Sequence, residues 1–164
     1  MNKDTSYPYS NWFLPRRPGA LANLRGSRNH PRLHGTVRFY QSPHGVLVVT
    51  EVLGLPMDKG LCQGAIFALH IHEGGSCTGN ADDPFANALT HYNPHNCPHP
   101  YHAGDMPPLF GANGHAFGAF LTNRFTIPEI LGRTVILHGS PDDFTTQPAG
   151  NAGIKIACGV IERA

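Results

Sequence analysis

Apolar and polar residues alternate along this chain in short bursts separated by glycine, proline and asparagine. In HGTVRFYQ (34–41), Thr36, Arg38 and Tyr40 share one face and Val37 and Phe39 the other. That is the two-residue period of a half-buried strand. SPH then turns the chain and GVLVVTEV (45–52) returns, which predicts a hairpin. Further strands are predicted at ALANL (20–24), GAIFALHIHE (64–73), HAFGAFLT (115–122), RTVILH (133–138) and GIKIACGVI (153–161), with a brief one at LFG (109–111). IPEIL predicts a single helical turn, and no segment has the 3.6-residue period of an amphipathic helix. From Gly74 to Pro108 there is no period at all. A loop of that length is uncommon in a compact domain unless it is functional or disordered. Short strands with turn-rich joins predict an all-β fold, a sandwich or flattened barrel of antiparallel strands carrying one long loop.

A length of 164 residues suits one domain. Nineteen glycines, fifteen prolines and only 14% charged residues favour turns and strands over long helices. The first residues, with SYPYSNWFLPRRPG, show no period, so residues 1–19 read as a basic arm and 20–164 as the folded domain. Residues 1–34 hold six basic side chains against one acidic, the remainder six against ten. Such an arm is read as solvated, not as a nucleic-acid contact. No apolar run approaches the ~20 residues of a membrane helix. The N-terminus lacks the basic, apolar, small-residue order of a secretory signal, which leads to an expected cytoplasmic location.

Histidine changes the picture. There are eleven, six of them between His70 and His102. Imidazole is the commonest metal ligand, so such clustering points to metal. On a strand, His70 and His72 face the same way, roughly 6.6 Å apart along the backbone, and can converge on one ion. His91 in the loop and His138 at the end of RTVILH complete a four-imidazole set suited to copper. HYNPHNCPHPYHAGD supplies His91, His95, Cys97, His99, His102 and Asp105, and histidines with one aspartate suit zinc. One histidine shared between the two would bind as an imidazolate. His30, His34, His44 and His115 lie outside the cluster and carry no expected role.

The segments LHIHEGGSC, HYNPHNCPH, HAGDMP, GRTVILHGSPDD and GNAGIKIACGVI closely resemble the copper–zinc superoxide dismutases, in that family's order, from about residue 20 to the end. The resemblance implies a Greek-key barrel of about eight strands, copper and zinc as cofactors, and disproportionation of superoxide to dioxygen and hydrogen peroxide. It implies copper at His70, His72, His91 and His138, and zinc at His91, His99, His102 and Asp105. His91 is then the bridge and carries a proton to the peroxide. Asp142 resembles the aspartate that joins a copper ligand to a zinc ligand. Cys77 and Cys158 resemble a disulfide pair that pins the long loop to the last strand. Closing a loop of about 80 residues stabilises by roughly 4 kcal/mol in the chain-entropy model.

Two departures stand out. Lys155 occupies the place of the family's anion-attracting arginine, keeping the charge but losing the planar fork. His99 and His102 are closer together than is usual, so the zinc loop is short and His95 or Cys97 could stand in for His99. Cys62 reads as an inert buried thiol, and Cys97 equally as a free thiol or a ligand. The alternative to an enzyme is a copper- and zinc-binding module of the same fold without turnover. The expected partner is the superoxide anion, with no nucleic acid and no membrane span. Family members differ in oligomeric state, and a homodimer is one option.

Overall fold

The computed structural model describes residues 17–57 and 65–164. Most of the expected arm, and Cys62, lie outside the described residues. Among the described residues eight strands form: β1 (Ala20–Gly26), β2 (His34–Ser42), β3 (Gly45–Leu53), β4 (Ile66–His72), β5 (Asp105–Ala112), β6 (His115–Thr122), β7 (Thr134–His138) and β8 (Lys155–Arg163). They close into an antiparallel barrel in the order β1-β2-β3-β6-β5-β4-β7-β8. The chain leaves β3, builds the meander β4-β5-β6, and returns β6 to lie beside β3, which is a Greek key. The expected helical turn forms as α1 (Ile127–Ile130), opened by a capping box between Thr126 and Glu129.

The expected alternation packs the interior. Val37 and Phe39 of β2, Val46, Val48 and Val52 of β3, and Ala22 and Leu24 of β1 point inward and are buried. Closure gives each of the described strands a neighbour on both sides. The strand expected at 109–111 is longer and begins at Asp105, so the long loop ends at Gly104, not Pro108. Pro107 and Pro108 hid this. They sit where β5 is poorly paired, because its register with β6 is confined to Gly111 and Ala112 and β5 itself bulges between Leu109 and Met106, opposite Phe67 and Leu69 of β4.

The loop from Glu73 to Gly104 is tied down along its length. Cys77 and Cys158 form a disulfide, 81 positions apart in sequence. Next to it Phe85 and Ala88 pack on Ile136 and Cys158 in a second apolar cluster outside the barrel. Both ends of this strap are therefore fixed to β7 and β8.

Candidate metal centre

β4 and β7 are neighbours, with His70 opposite Ile136 and His72 opposite Thr134. Phe67, Leu69 and Ile71 enter the barrel core, as do Val135 and Leu137 of β7. Strand alternation then sends His70, His72 and His138 to the outer side, beneath the loop. His91 arrives from the loop through a β-bridge to His72, secured by the Tyr92 amide donating to the Ile71 carbonyl at 2.8 Å. Gly104 closes the same corner. A β-carbon there would lie 2.2 Å from the Ile71 oxygen, so only glycine lets the loop lie this close.

Four imidazoles meet as a result. Ring centroids lie 4.0 Å apart for His70 and His91, 5.0 Å for His72 and His91, and 5.0 Å for His70 and His138. One ring nitrogen from each of His70, His72, His91 and His138 falls within 4.8 Å of all the others, and all four residues are buried.

A second group with the same spread joins His91 to His99, His102 and Asp105. Asp105 is its hub. Oδ1 lies 2.7 Å from His91 Nδ1, and Oδ2 lies 3.0 Å from His99 Nδ1 and 3.3 Å from His102 Nδ1. The short spacing from His99 to His102 does not keep these side chains apart, because the loop doubles back: the His102 amide donates to Asp105 Oδ2 at 3.0 Å. His95 is exposed and Cys97 half-buried, and neither enters either group. Cys97 is a free thiol.

The remaining ring nitrogens are held from behind. Asp142 accepts from His70 Nε2 at 2.8 Å and from His99 Nε2 at 2.9 Å, so one carboxylate spans the two groups. Gly150 makes room for it, since a β-carbon there would meet Asp142 Oδ1 at 2.0 Å. His72 Nδ1 donates to the Leu89 carbonyl at 2.8 Å and His138 Nδ1 to that of Gly153 at 3.3 Å. Two residues that the sequence did not single out hold the second group's loop. Gln147 accepts from the His99 amide and donates to the His99 carbonyl, at 3.0 and 2.7 Å. Arg124 Nη1 donates to the carbonyls of Pro100, His102 and Asp105, at 2.9, 3.4 and 3.5 Å.

Electrostatics favour neutral imidazoles facing ionised carboxylates. Burial pushes the His138 pKa down to about 3, helped by the neighbouring His70. Burial likewise lowers His70 and, further, His72, the latter with the help of His138 and His91. Burial raises the Asp142 carboxyl, but hydrogen bonds from His70, the Phe144 amide and His99 outweigh it and hold it below the usual range. Asp105 is lowered in the same way, burial being overcome chiefly by His91.

These features fit metal. His70 Nδ1 and His91 Nε2 are buried without a hydrogen-bond partner, and His99 Nδ1 faces Asp105 Oδ2 at 3.0 Å without forming one; each points into one of the two groups. Unpaired buried nitrogens are costly unless something else uses their lone pairs. Neutral imidazoles held by acceptors on their far side are the state that binds copper or zinc.

Lys155, expected to face the incoming anion, pairs with His138 across β7 and β8. Its ammonium is engaged by Asp83, 2.7 Å away. His30, His34 and His115 make local contacts away from both groups, with Ser27, the Arg32 carbonyl and Glu51.

A closed Greek-key barrel that carries an all-histidine group and a histidine–aspartate group sharing one imidazole defines a β-barrel protein for two adjacent metal ions. A profile of the copper/zinc superoxide dismutase (SODC) family matches residues 33–161. The chain is 34% identical over 149 residues to a Cu-Zn superoxide dismutase of Deinococcus radiodurans, covering 80% of this chain and 78% of that one. To Cu-Zn superoxide dismutase 1 of Aquifex aeolicus it is 35% identical over 144 residues, or 78% and 79% of the two chains. The solved Cu/Zn superoxide dismutase from Brucella abortus superposes with a TM-score of 0.73 at 26% identity, covering 87% of this chain and 99% of that one. The chain belongs to the copper/zinc superoxide dismutase family. Its activity is superoxide disproportionation and its cofactors are copper and zinc.

Proposed function

We propose that copper is held by His70, His72, His91 and His138 and zinc by His91, His99, His102 and Asp105, with His91 as the shared ligand. The observation that carries this assignment is that His91 belongs to both groups, its Nδ1 facing Asp105 while its Nε2 is buried and unpartnered among the other three histidines. Bound copper supplies a one-electron couple, so that two superoxide anions and two protons become one dioxygen and one hydrogen peroxide.

The chain's own residues orient and protonate. Asp142 keeps the protons of His70 and His99 on Nε2 and so leaves both Nδ1 lone pairs directed at metal. With its Nδ1 committed to the zinc set, His91 can take up and release a proton only at Nε2. Lys155 lies across from His138 on β8 and is the cation assigned to the approach of the anion. The rings are buried, which keeps bulk water from the reacting atoms.

The test measures metal content and then superoxide decay, for wild type and His138→Ala. Wild type is expected to hold equimolar copper and zinc and to accelerate decay, and His138→Ala to lose copper and rate while keeping zinc. Bound copper without accelerated decay would instead leave the non-catalytic binding module.

Two finer matters belong to this proposal. Among the described residues no helix is long and apolar enough to cross a membrane. The disulfide weighs toward an oxidising compartment and against the cytoplasmic expectation. A homodimer is supported by the exposed apolar side chains Phe110 of β5 and Phe117 of β6, at 68% and 63% exposure.

A further inference from the structure

Lys155 opens β8 beside His138, but its charge is not free. Nζ donates to Asp83 Oδ2 at 2.7 Å and to the Phe85 carbonyl at 3.2 Å. The Lys155 side chain is 16% exposed and that of Asp83 40%, so the pair stands at the edge of solvent. Both charges are felt at the copper group: the Lys155 cation adds to the lowering of His138, after burial and its neighbouring histidines, and His138 acts in turn on Asp83.

Asp83 is placed by its surroundings. Asn80 Oδ1 accepts from the amides of Asp82 and Asp83, and Asp83 Oδ1 accepts from the Phe85 amide at 3.0 Å. Phe85, two residues on, is buried against Ile136 and Cys158. The strap is locked again by the disulfide, whose Cys158 lies three residues beyond Lys155 on the same strand. Oδ2 is therefore presented to the ammonium by a turn that is already rigid. Sequence reading missed it because Asp83 and Lys155 are 72 positions apart.

An ion pair acts differently from a lone cation. At a Debye length, ~10 Å in 0.1 M salt, opposite charges ~3 Å apart pull on an anion with only about a third of the strength of the bare cation. Near contact, the ammonium can still give a hydrogen bond to an anion that displaces the carboxylate. We propose that Asp83 is a positioning residue: it holds the Lys155 ammonium at the mouth of the copper group and masks its charge from bulk solution, so that Lys155 acts on superoxide at contact and not as a long-range attractor. The inference rests on the dismutase reading above.

The test compares the metal-loaded wild type with Asp83→Asn, Asp83→Glu and Asp82→Asn. Asp82 is exposed and adjacent in sequence, and the Lys155 ammonium is bonded to Asp83 and Phe85 instead, so its variant removes the same charge while leaving the pair in place. Two quantities are read: superoxide decay rate against ionic strength, and the rate at which acetic anhydride labels Lys155, followed by peptide mass mapping with and without metal. Asp83→Asn should raise the low-salt rate about threefold and steepen its salt dependence, since electrostatic steering weakens with ionic strength. It should also speed Lys155 labelling several-fold. Asp83→Glu should restore both towards wild type, and Asp82→Asn should change the rate less than about 1.5-fold and labelling not at all. Identical behaviour of Asp83→Asn and Asp82→Asn in both readouts overturns the proposal while leaving the dismutase reading intact. Copper-loaded wild type that fails to accelerate superoxide decay removes that reading, and with it any role in anion approach. Labelling of the metal-free protein still decides whether the ion pair exists.

Discussion

Replacing Asp142 by asparagine keeps the shape of the side chain but exchanges one acceptor oxygen for a donor. In the native site Oδ2 accepts from His70 Nε2, while Oδ1 accepts from both His99 Nε2 and the Phe144 amide. An ionised carboxylate is acceptor-only, so both rings must carry their protons on Nε2. In Asp142→Asn the amide oxygen is best placed at the Oδ1 position, where two donors converge, and the NH2 group then faces His70. That ring must offer a lone pair at Nε2, which moves its proton to Nδ1, the atom proposed to bind copper. Losing a charge-assisted hydrogen bond costs about 1.5–3 kcal/mol. The affinity loss usual when such a supporting group is removed, 10- to 100-fold, corresponds to about 1.4–2.8 kcal/mol, so the two scales agree. Competition titrations with a chelator of known affinity, run separately for copper and zinc on the folded variant, measure it. Copper affinity should fall about 10- to 100-fold and zinc affinity clearly less. A copper affinity within about twofold of wild type, or a greater loss at zinc, would refute the argument.

Two further outcomes follow from the same geometry. In the metal-free protein, burial holds His70, His72 and His138 below their ordinary pKa of 6.5, His138 at about 3. The unfolded chain therefore binds more protons than the folded one as pH drops below 6.5, and stability should fall by about 1 kcal/mol per pH unit for each such histidine, levelling off below the folded values. Urea midpoints that stay constant between pH 7 and pH 5 would contradict this. Arg124→Ala removes the donor shared by the Pro100, His102 and Asp105 carbonyls, one bond short and two long. At about 1 kcal/mol for a solvent-facing clasp, zinc affinity should drop roughly fivefold with copper unchanged, and an equal loss of both metals would show that the clasp does not act on the zinc loop.

Local pattern alone determined most of the barrel. A strand with one face in a core must alternate, and the alternation of Val37 and Phe39, and of Val46, Val48 and Val52, is legible in the sequence itself. His70 and His72 were legible for the same reason, since a two-residue period forces them onto one face. Clustered histidines and the resemblance of the surrounding motifs brought His91, His99, His102, Asp105 and His138 into view, and Asp142 and the disulfide with them. Where local pattern was broken, reading failed: two prolines concealed the start of β5, because a strand without pairing on one side tolerates what a paired strand excludes.

What only the tertiary structure decided is the set of contacts between distant segments. Gln147 clasps His99 across 48 positions, Arg124 reaches back to the loop of His102 and Asp105 across about 20, and Asp83 meets Lys155 across 72. None of these has a period or a motif, because a hydrogen bond or ion pair depends on where two backbones come together and not on the residues beside each partner. Hydrophobic alternation specifies which face a residue takes. Closure of the barrel and the course of the strapped loop specify what that face meets, and so whether a cation that the family resemblance sets toward the anion stands beside a carboxylate.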